Sequence, residues 1–441
     1  MENAYLIHGG KPLRGTVELS GAKNVALKAL IAALLFESEV VLHNIPRIGD
    51  IIELMHLLEL LGAKATFEGT NTVRIDSSNL KSHEVDLLHG SKIRVSFMLF
   101  APLLYRFNKA LIPNPGGCRL GARSIDRVVE GLQALGIEVT YDSETGYYDA
   151  TMNAKPHGTY HFEKASHTGT ELLIMMSVFG EGQITIENAA LEPEIDDLIS
   201  LLNAGGAQIK REGNNIVVTG VEKLVQTKPH TILSDRIEAA TYASLALATK
   251  GEVTIKSIPE HCVKSFNEML IEAGAEVKQH EPGVWSYKYV QPLKAVSIET
   301  TPYPGFATDW QPTTAVLFTQ AEGKTLIHER IFENRFSYVD ELKKLGADIE
   351  YVTPQVEDPK KYYHFNYDAE KEYTQAIEVN GPQHLHGGVL AVADLRAGAT
   401  LAIAALVADG ESYVQGIQHL ERGYENFVEK VKVLGGDIQK I

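Results

Sequence analysis

Apolar residues at Ile51, Leu54, Leu58 and Leu61 fall on one helical face, and Gly62-Ala63 then leads into an alternating stretch, Lys64 to Phe67. This spacing predicts an amphipathic helix over Ile48 to Leu61, stopped by a glycine and followed by a strand. Ahead of it, the largely apolar stretch Ala26 to Leu35 predicts an apolar helix, and Val40 to His43 predicts a strand. Thr72 to Ile75, across the turn Glu68-Gly69-Thr70-Asn71, predicts the second arm of a hairpin. One unit therefore reads helix, strand, helix, strand, strand.

The same helix end recurs as Leu135-Gly136-Ile137, Gly205-Gly206-Ala207, Ala273-Gly274-Ala275, Leu345-Gly346-Ala347 and Leu434-Gly435-Gly436. The glycines lie 68 to 89 residues apart, longer than the roughly 20 to 50 residues of solenoid repeats, so each copy is expected to be a small α/β unit. Comparable units span Ile93 to Ala150, Glu171 to Val218, Ile237 to Tyr289 and Pro312 to Val379. The sixth copy stops six residues after Gly435. The segment Ala4 to Leu19 is expected to supply the missing pairing as a β-hairpin turning at Gly9-Gly10-Lys11-Pro12. The chain then divides into a continuous three-unit domain, residues 24–233, and a discontinuous one made of residues 1–23 and 234–441. Two linkers, near Gly21-Ala22 and Ser234, suit a hinge. The widest interval includes about twenty extra residues, Tyr351 to Tyr373, expected to form an elongated surface hairpin.

Composition narrows the class. The 441 residues are 44% hydrophobic and 22% charged, as in globular proteins of more than one domain. No apolar run reaches the roughly 20 residues that span a bilayer, and Met1-Glu2-Asn3-Ala4 begins no signal peptide. A cytoplasmic protein is expected. The net charge of −16 argues against nucleic-acid or membrane partners. Two cysteines, Cys118 and Cys262, allow no disulfide framework and no cysteine zinc cluster; Cys262 reads as a packing residue.

In an acidic chain, clustered cations carry information. Cys118 sits in the loop Pro113-Asn114-Pro115-Gly116-Gly117-Cys118-Arg119-Leu120-Gly121-Ala122-Arg123, where two arginines would hold an anion and favour the thiolate. Polar groups also gather at the expected start of the first helix of each unit. They are Lys23-Asn24, Lys92 with Arg94, Ser166-His167-Thr168, Asp235-Arg236, Thr308-Asp309 and Asp394-Leu395-Arg396. N-capping accounts for the Ser, Thr and Asp members, Asp309 included. It does not account for the cations, which are unfavourable at the positive end of a helix dipole unless an anion is there. The turns into the second helices add Glu192-Pro193-Glu194, Glu333-Asn334-Arg335 and Glu421-Arg422. Cations from both halves would grip a multiply anionic ligand, such as a nucleotide sugar with a phosphorylated acid. No phosphate-binding loop with Gly-Lys and no Gly-x-Gly-x-x-Gly turn is present, so use of ATP or NAD is not expected.

With these motifs in this order, the chain resembles the enolpyruvyl transferases over essentially its whole length, and within them the branch acting on UDP-N-acetylglucosamine. The carriers are Leu19-Ser20-Gly21-Ala22-Lys23-Asn24, the Cys118 loop, Glu192-Pro193-Glu194-Ile195, Asp235-Arg236-Ile237-Glu238, Thr308-Asp309, Phe332-Glu333-Asn334-Arg335-Phe336, Asp394-Leu395-Arg396 and Glu421-Arg422-Gly423-Tyr424. The resemblance implies an α/β fold of two domains, each an inside-out α/β barrel of three repeated units. It implies phosphoenolpyruvate and UDP-N-acetylglucosamine as the two substrates, enolpyruvyl transfer to the sugar 3-hydroxyl with release of phosphate, and no metal or organic cofactor. Catalysis would fall to Cys118, Asp309, Lys23 and Arg396. Phosphoenolpyruvate would meet Lys23, Asn24, Arg123, Arg335, Arg396 and Arg422. The UDP-sugar would meet Asn24, Arg94, Arg123, Ser124, Ile125, Asp126, Arg127, Lys164, Ala165, Ser166, His167, Thr168, Asp309 and Ile331. Arginines favour the Cys118 thiolate, which opposes a simple acid role; the division of acid and base between Cys118 and Asp309 stays open.

Several positions depart from the family pattern. Ser124, Arg127 and Met98 stand where the family usually has Pro, Leu and Trp, His167-Thr168 makes its loop one residue longer, and Leu191 replaces an Arg. These departures leave room for another acceptor, a uridine nucleotide in secondary metabolism or shikimate 3-phosphate, or for a nonenzymatic UDP-sugar-binding protein. Retention of Cys118, Asp309 and five cations weighs against the last.

Overall fold

The computed structural model describes residues 4–116 and 125–441. They fall into two compact units, residues 4–20 with 234–441, and residues 21–116 with 125–233. Both are built from the same motif.

The first copy shows its logic. Strand Val40–His43 leads into helix Gly49–Leu61 and strands Lys64–Glu68 and Thr72–Asp76. Thr72–Asp76 lies antiparallel between the other two, and the short strand His230–Thr231 joins Val40–His43 in parallel at the edge. The same order, a parallel incoming strand and then first, third and second strands, recurs in four more sheets. In the copy around Lys109–Pro113 a single bridge between Glu84 and Leu111 takes the place of the incoming strand. Each amphipathic helix ends at its repeat glycine, and all six glycines, Gly62, Gly136, Gly206, Gly274, Gly346 and Gly435, have φ between 88° and 108°. A side chain would be strained there, which explains the motif.

The apolar first helices form the inside of each unit. Every residue of Arg236–Ala248 and Gln311–Phe318 is buried, as are the first twelve of Leu395–Val407, and these three helices pack on one another. In the other unit, Lys23–Ala32 and His167–Ser177 are buried almost throughout. A helix that is apolar all round needs neighbours on every side, so helices sit inside and sheets outside. Among the described residues no sheet closes into a barrel. No helix among them is long and apolar enough to cross a membrane.

Two expectations are corrected. Ala4–His8 and Arg14–Glu18 do not form a hairpin. Ala4–His8 inserts antiparallel between Glu411–Gln415 and Asp437–Lys440, whereas Arg14–Glu18 pairs in parallel with Glu252–Lys256 in a different sheet. The truncated sixth copy lacks its third strand, and the chain start fills that slot. The next strand then serves as the incoming strand of the fourth copy. Gly9 permits the crossing: a Cβ there would lie 2.2 Å from the Ala405 carbonyl oxygen. Secondly, the extra segment joins antiparallel strands Ile349–Val352 and Ala376–Gly381 without prolonging them. It carries the helical turn Pro359–Tyr362, and its rings Tyr363, Phe365, Tyr367 and Tyr373 cluster with centroids 5.1–6.4 Å apart. Arg330, 3.9 Å from the Tyr362 ring centroid, fixes it to the sheet.

Ile7 is fully buried in the inserted strand, opposite Ser412 and Ile438. Ile7→Ala is expected to cost about 2–5 kcal/mol, read as a lower midpoint in urea unfolding. An unchanged midpoint would contradict the central placement of this strand.

Candidate active site

In the unit of residues 4–20 and 234–441, charged groups meet at the starts of the three inner helices. Asp235 caps Arg236–Ala248 by accepting from the Ile237 and Glu238 amides at 2.8 and 3.3 Å. Asp394 caps Leu395–Val407 by accepting from the Arg396 and Ala397 amides at 2.9 and 3.0 Å. Asp309 does otherwise. The N-cap of Gln311–Phe318 is Trp310, with no side-chain cap bond, so the capping role expected of Asp309 is corrected. Its carboxylate turns to two guanidinium groups: Arg335 Nη2 donates to Oδ1, and Arg396 Nε lies 3.4 Å from the same oxygen. Arg396 also donates to the Tyr424 hydroxyl at 3.3 Å, which pairs with Thr241 at 2.8 Å.

Burial alone would push the Asp309 carboxyl up, but the charges and hydrogen bonds of Arg396 and Arg335 outweigh it and hold it well below the usual carboxylate range. Burial likewise lowers Arg396, and Asp309, followed by Tyr424 and Asp235, more than reverses this. Arg335 also donates from Nη1 to Thr308 Oγ1 at 2.6 Å. The Ile331 amide donates to Glu329 at 2.8 Å. Arg422 follows the short helix Gln418–Glu421. Arg236 lies 5.5 Å from the ring centroids of Tyr303 and Trp310.

In the other unit, Lys23 is the first residue of its helix, and its ammonium lies 2.5 Å from Asp50 in the first turn of Gly49–Leu61. The anion required at this helix start is thus supplied by the protein itself. Asn24 is half-buried. Arg94 opens a 3-10 turn, Arg94–Leu99, rather than an α-helix, and Met98 within it is fully buried. Ile125 precedes helix Asp126–Ala134, and Asp126 and Arg127 form its first turn. Burial lowers Arg127; Lys164 is lowered by burial first and then by Arg127. Glu163 opposes both shifts.

Ala165 packs against the core, and Ser166 caps His167–Ser177 by accepting from the Gly169 amide at 3.2 Å. His167 and Thr168 form that helix's first turn. His167 Nε2 lies 3.4 Å from one oxygen of the fully buried Glu171, and Lys28 lies 3.2 Å from the other. Asp50, Lys28 and Glu171 were not anticipated from sequence. For Lys28 and Glu171 the available signal was a lone charge inside an otherwise apolar run, which burial obliges to find a partner; Asp50, at the start of an amphipathic helix, carried no such signal. Cys118, Arg123 and Ser124 lie outside the described residues. Among the described residues no group of three or more His, Cys, Asp or Glu is placed to hold a metal ion.

A family model described as EPSP synthase (3-phosphoshikimate 1-carboxyvinyltransferase) matches residues 7–431. The chain belongs to this enolpyruvyl transferase family. Among similar family members, UDP-N-acetylglucosamine 1-carboxyvinyltransferase 2 of Clostridium acetobutylicum is 40% identical over 438 residues, covering 99% of this chain and 98% of its own. UDP-N-acetylglucosamine 1-carboxyvinyltransferase 3 of Caldanaerobacter subterraneus subsp. tengcongensis is 40% identical over 439 residues and 99% of both chains. The crystal structure of the enolpyruvyl transferase NikO from Streptomyces tendae superposes with a TM-score of 0.85 at 25% identity, over 100% of this chain and 99% of that one. An EPSP synthase from Acinetobacter baumannii, 18% identical over 100% of both chains with a TM-score of 0.72, shares the fold. These likenesses bear out the two-domain α/β architecture expected of the family.

The buried carboxylate gives the unit containing His167 a pH signature. Burial lowers the imidazole's proton affinity, yet Glu171, assisted by Glu192 and opposed by Lys28, raises its pKa overall. A raised value stabilises the fold fully below the unfolded pKa of about 6.5, and that contribution is lost as pH climbs through the folded value. Titration of His167 by NMR should give a midpoint above about 6.5, and Glu171→Gln should lower it. The stability advantage of the parent over Glu171→Gln should also narrow as pH rises. An identical His167 midpoint in both proteins would contradict the assignment.

Proposed function

We propose that this protein transfers the enolpyruvyl group of phosphoenolpyruvate to the 3-hydroxyl of UDP-N-acetylglucosamine, releasing phosphate, as the first committed step of peptidoglycan precursor synthesis in the cytoplasm. The names of relatives 40% identical over nearly the whole chain support the acceptor. The observation that carries the chemistry is the Asp309 carboxylate held against two buried arginines.

In that arrangement Asp309 is a poor base. An anionic substrate that draws Arg335 and Arg396 onto its own oxygens removes the charges holding Asp309 down, so its proton affinity rises as the substrate arrives. Asp309 then accepts the proton of the sugar 3-hydroxyl while the oxygen attacks C2 of phosphoenolpyruvate, and Cys118, protonated once the substrate's phosphate occupies the arginines that favour its thiolate, delivers a proton to C3. The tetrahedral adduct loses phosphate and a C3 proton, giving the enolpyruvyl ether. Lys23, Arg123 and Arg422 hold the phosphate; Arg335 and Arg396 hold the carboxylate and stabilise developing charge. Asn24 serves both substrates. Arg127 and Lys164, each lowered by burial, would gain charge partners from a diphosphate. With Arg94, Arg123, Ser124, Ile125, Asp126, Ala165 to Thr168 and Ile331 they form the UDP-sugar contacts of this reading.

Phosphate release should be observed with phosphoenolpyruvate plus UDP-N-acetylglucosamine, and not when shikimate 3-phosphate or UMP replaces the acceptor. Faster release with either replacement would reassign the acceptor. Asp309→Asn should lower turnover by roughly 10²-fold or more while calorimetry still detects UDP-N-acetylglucosamine binding. Near-full turnover in that variant would remove Asp309 from the mechanism. Cys118→Ala should likewise abolish product.

A further inference from the structure

Glu329 lies behind this site and is fully buried. One carboxylate oxygen, Oε2, accepts from the Thr308 hydroxyl at 2.8 Å. The other, Oε1, accepts from the backbone amides of Ile331 and Phe332 at 2.8 and 3.1 Å. Its main chain is pinned as well: its amide donates to the Gln375 carbonyl at 2.7 Å, and its carbonyl accepts from Gln375 Nε2 at 2.8 Å. Glu329 is the acceptor in all three side-chain bonds; burial raises its pKa, and Arg335, Thr308 and the two amides oppose that by favouring the carboxylate.

Those bonds settle the direction of the next one. A hydroxyl has one proton. Because Thr308 gives its proton to Glu329, its lone pairs are left to face Arg335, whose Nη1 donates to it at 2.6 Å. Arg335 is 4% exposed and donates from Nη2 to Asp309. Its Nε has no hydrogen-bond partner among the described residues, so Thr308 and Asp309 alone orient the guanidinium through hydrogen bonds. We infer that Glu329 is a positioning residue that sets two of this unit's substrate contacts through one carboxylate, Arg335 by way of Thr308 and Ile331 by its backbone. The inference rests on the functional reading above, in which Arg335 meets phosphoenolpyruvate and Ile331 meets the UDP-sugar.

An amide cannot replace this group. If the side-chain nitrogen introduced by Glu329→Gln faced Ile331 and Phe332, it would oppose two donors. If it faced Thr308, the hydroxyl proton would lose its acceptor and turn toward Arg335. Glu329→Gln should therefore raise KM for both phosphoenolpyruvate and UDP-N-acetylglucosamine by roughly tenfold or more, the loss expected when hydrogen bonds to charged groups are misdirected. Thr308→Val cuts only the arginine branch and should raise KM for phosphoenolpyruvate alone. Thr308→Ser, which keeps the hydroxyl, should restore it to within about twofold of the parent. Equal effects of Thr308→Val on both substrates would overturn the inference. So would a Thr308→Ser variant as impaired as Thr308→Val, unchanged constants in Glu329→Gln, or losses that track the thermal melt. If the parent protein releases no phosphate with these substrates, it is the functional reading that fails. Crystal structures of the parent and Thr308→Val then decide the positioning role: a turned Arg335 guanidinium supports it, and an unmoved one sinks it.

Discussion

The site depends on charge held where water is largely excluded. Arg335 and Arg396 are almost completely buried and both converge on one oxygen of Asp309. Burying a charge costs several kcal/mol unless a partner is close and well oriented, so the carboxylate is a condition for these two cations to exist in place. The relation runs the other way too. A carboxylate so strongly held is preorganised but quiescent, and its chemistry waits for an anion to compete for its partners. The resting state is thus a counter-ion arrangement that a substrate of matching charge can exchange into.

What puts these groups together is the repeat. Buried first helices of three copies pack against one another in each unit, so their starts come to one end of the helical core. Asp309 and Arg335 belong to the fifth copy, Arg396 and Tyr424 to the sixth, and Thr241, which pairs with Tyr424, to the fourth. In the other unit Lys28 of the first copy meets Glu171 of the third. Polar bonds therefore join copies that the sheets keep apart. Strand exchange does the same at the periphery, since each incoming parallel strand follows the preceding copy or, around the cycle, the last one.

The repeat was legible because it is local. A 3.6-residue apolar stripe, a glycine with positive φ and an alternating strand are all written within about fifteen residues, and Val40–His43, Lys64–Glu68 and Thr72–Asp76 lie where the pattern puts them. The destination of Ala4–His8 was half legible. A missing strand in the sixth copy can be counted, but whether its replacement brings its neighbour along depends on contacts more than 400 residues away. Helix starts were marked by charge, yet a charge does not name its partner. Asp235 and Asp394 cap, while Asp309, in a similar setting, pairs with arginines because its helix begins two residues later. Recognition of the family came from motif order, a signal that needs no geometry.

The same reasoning explains why the supporting residues escaped notice while the charged motifs stood out. Glu329 lies in the polar stretch His328-Glu329-Arg330, where a surface glutamate would look no different. Only the fold shows that its carboxylate is sealed from water and surrounded by donors. Lys28 and Glu171 are the opposite case, since each interrupts an apolar helix that has no exposed face to offer a charge. A buried ion pair adds little net stability compared with apolar packing, but losing one partner is costly. Such pairs therefore constrain how neighbouring copies fit together, and here Asp50 and Glu171 stand directly against Lys23 and His167, groups whose positions the proposed chemistry uses.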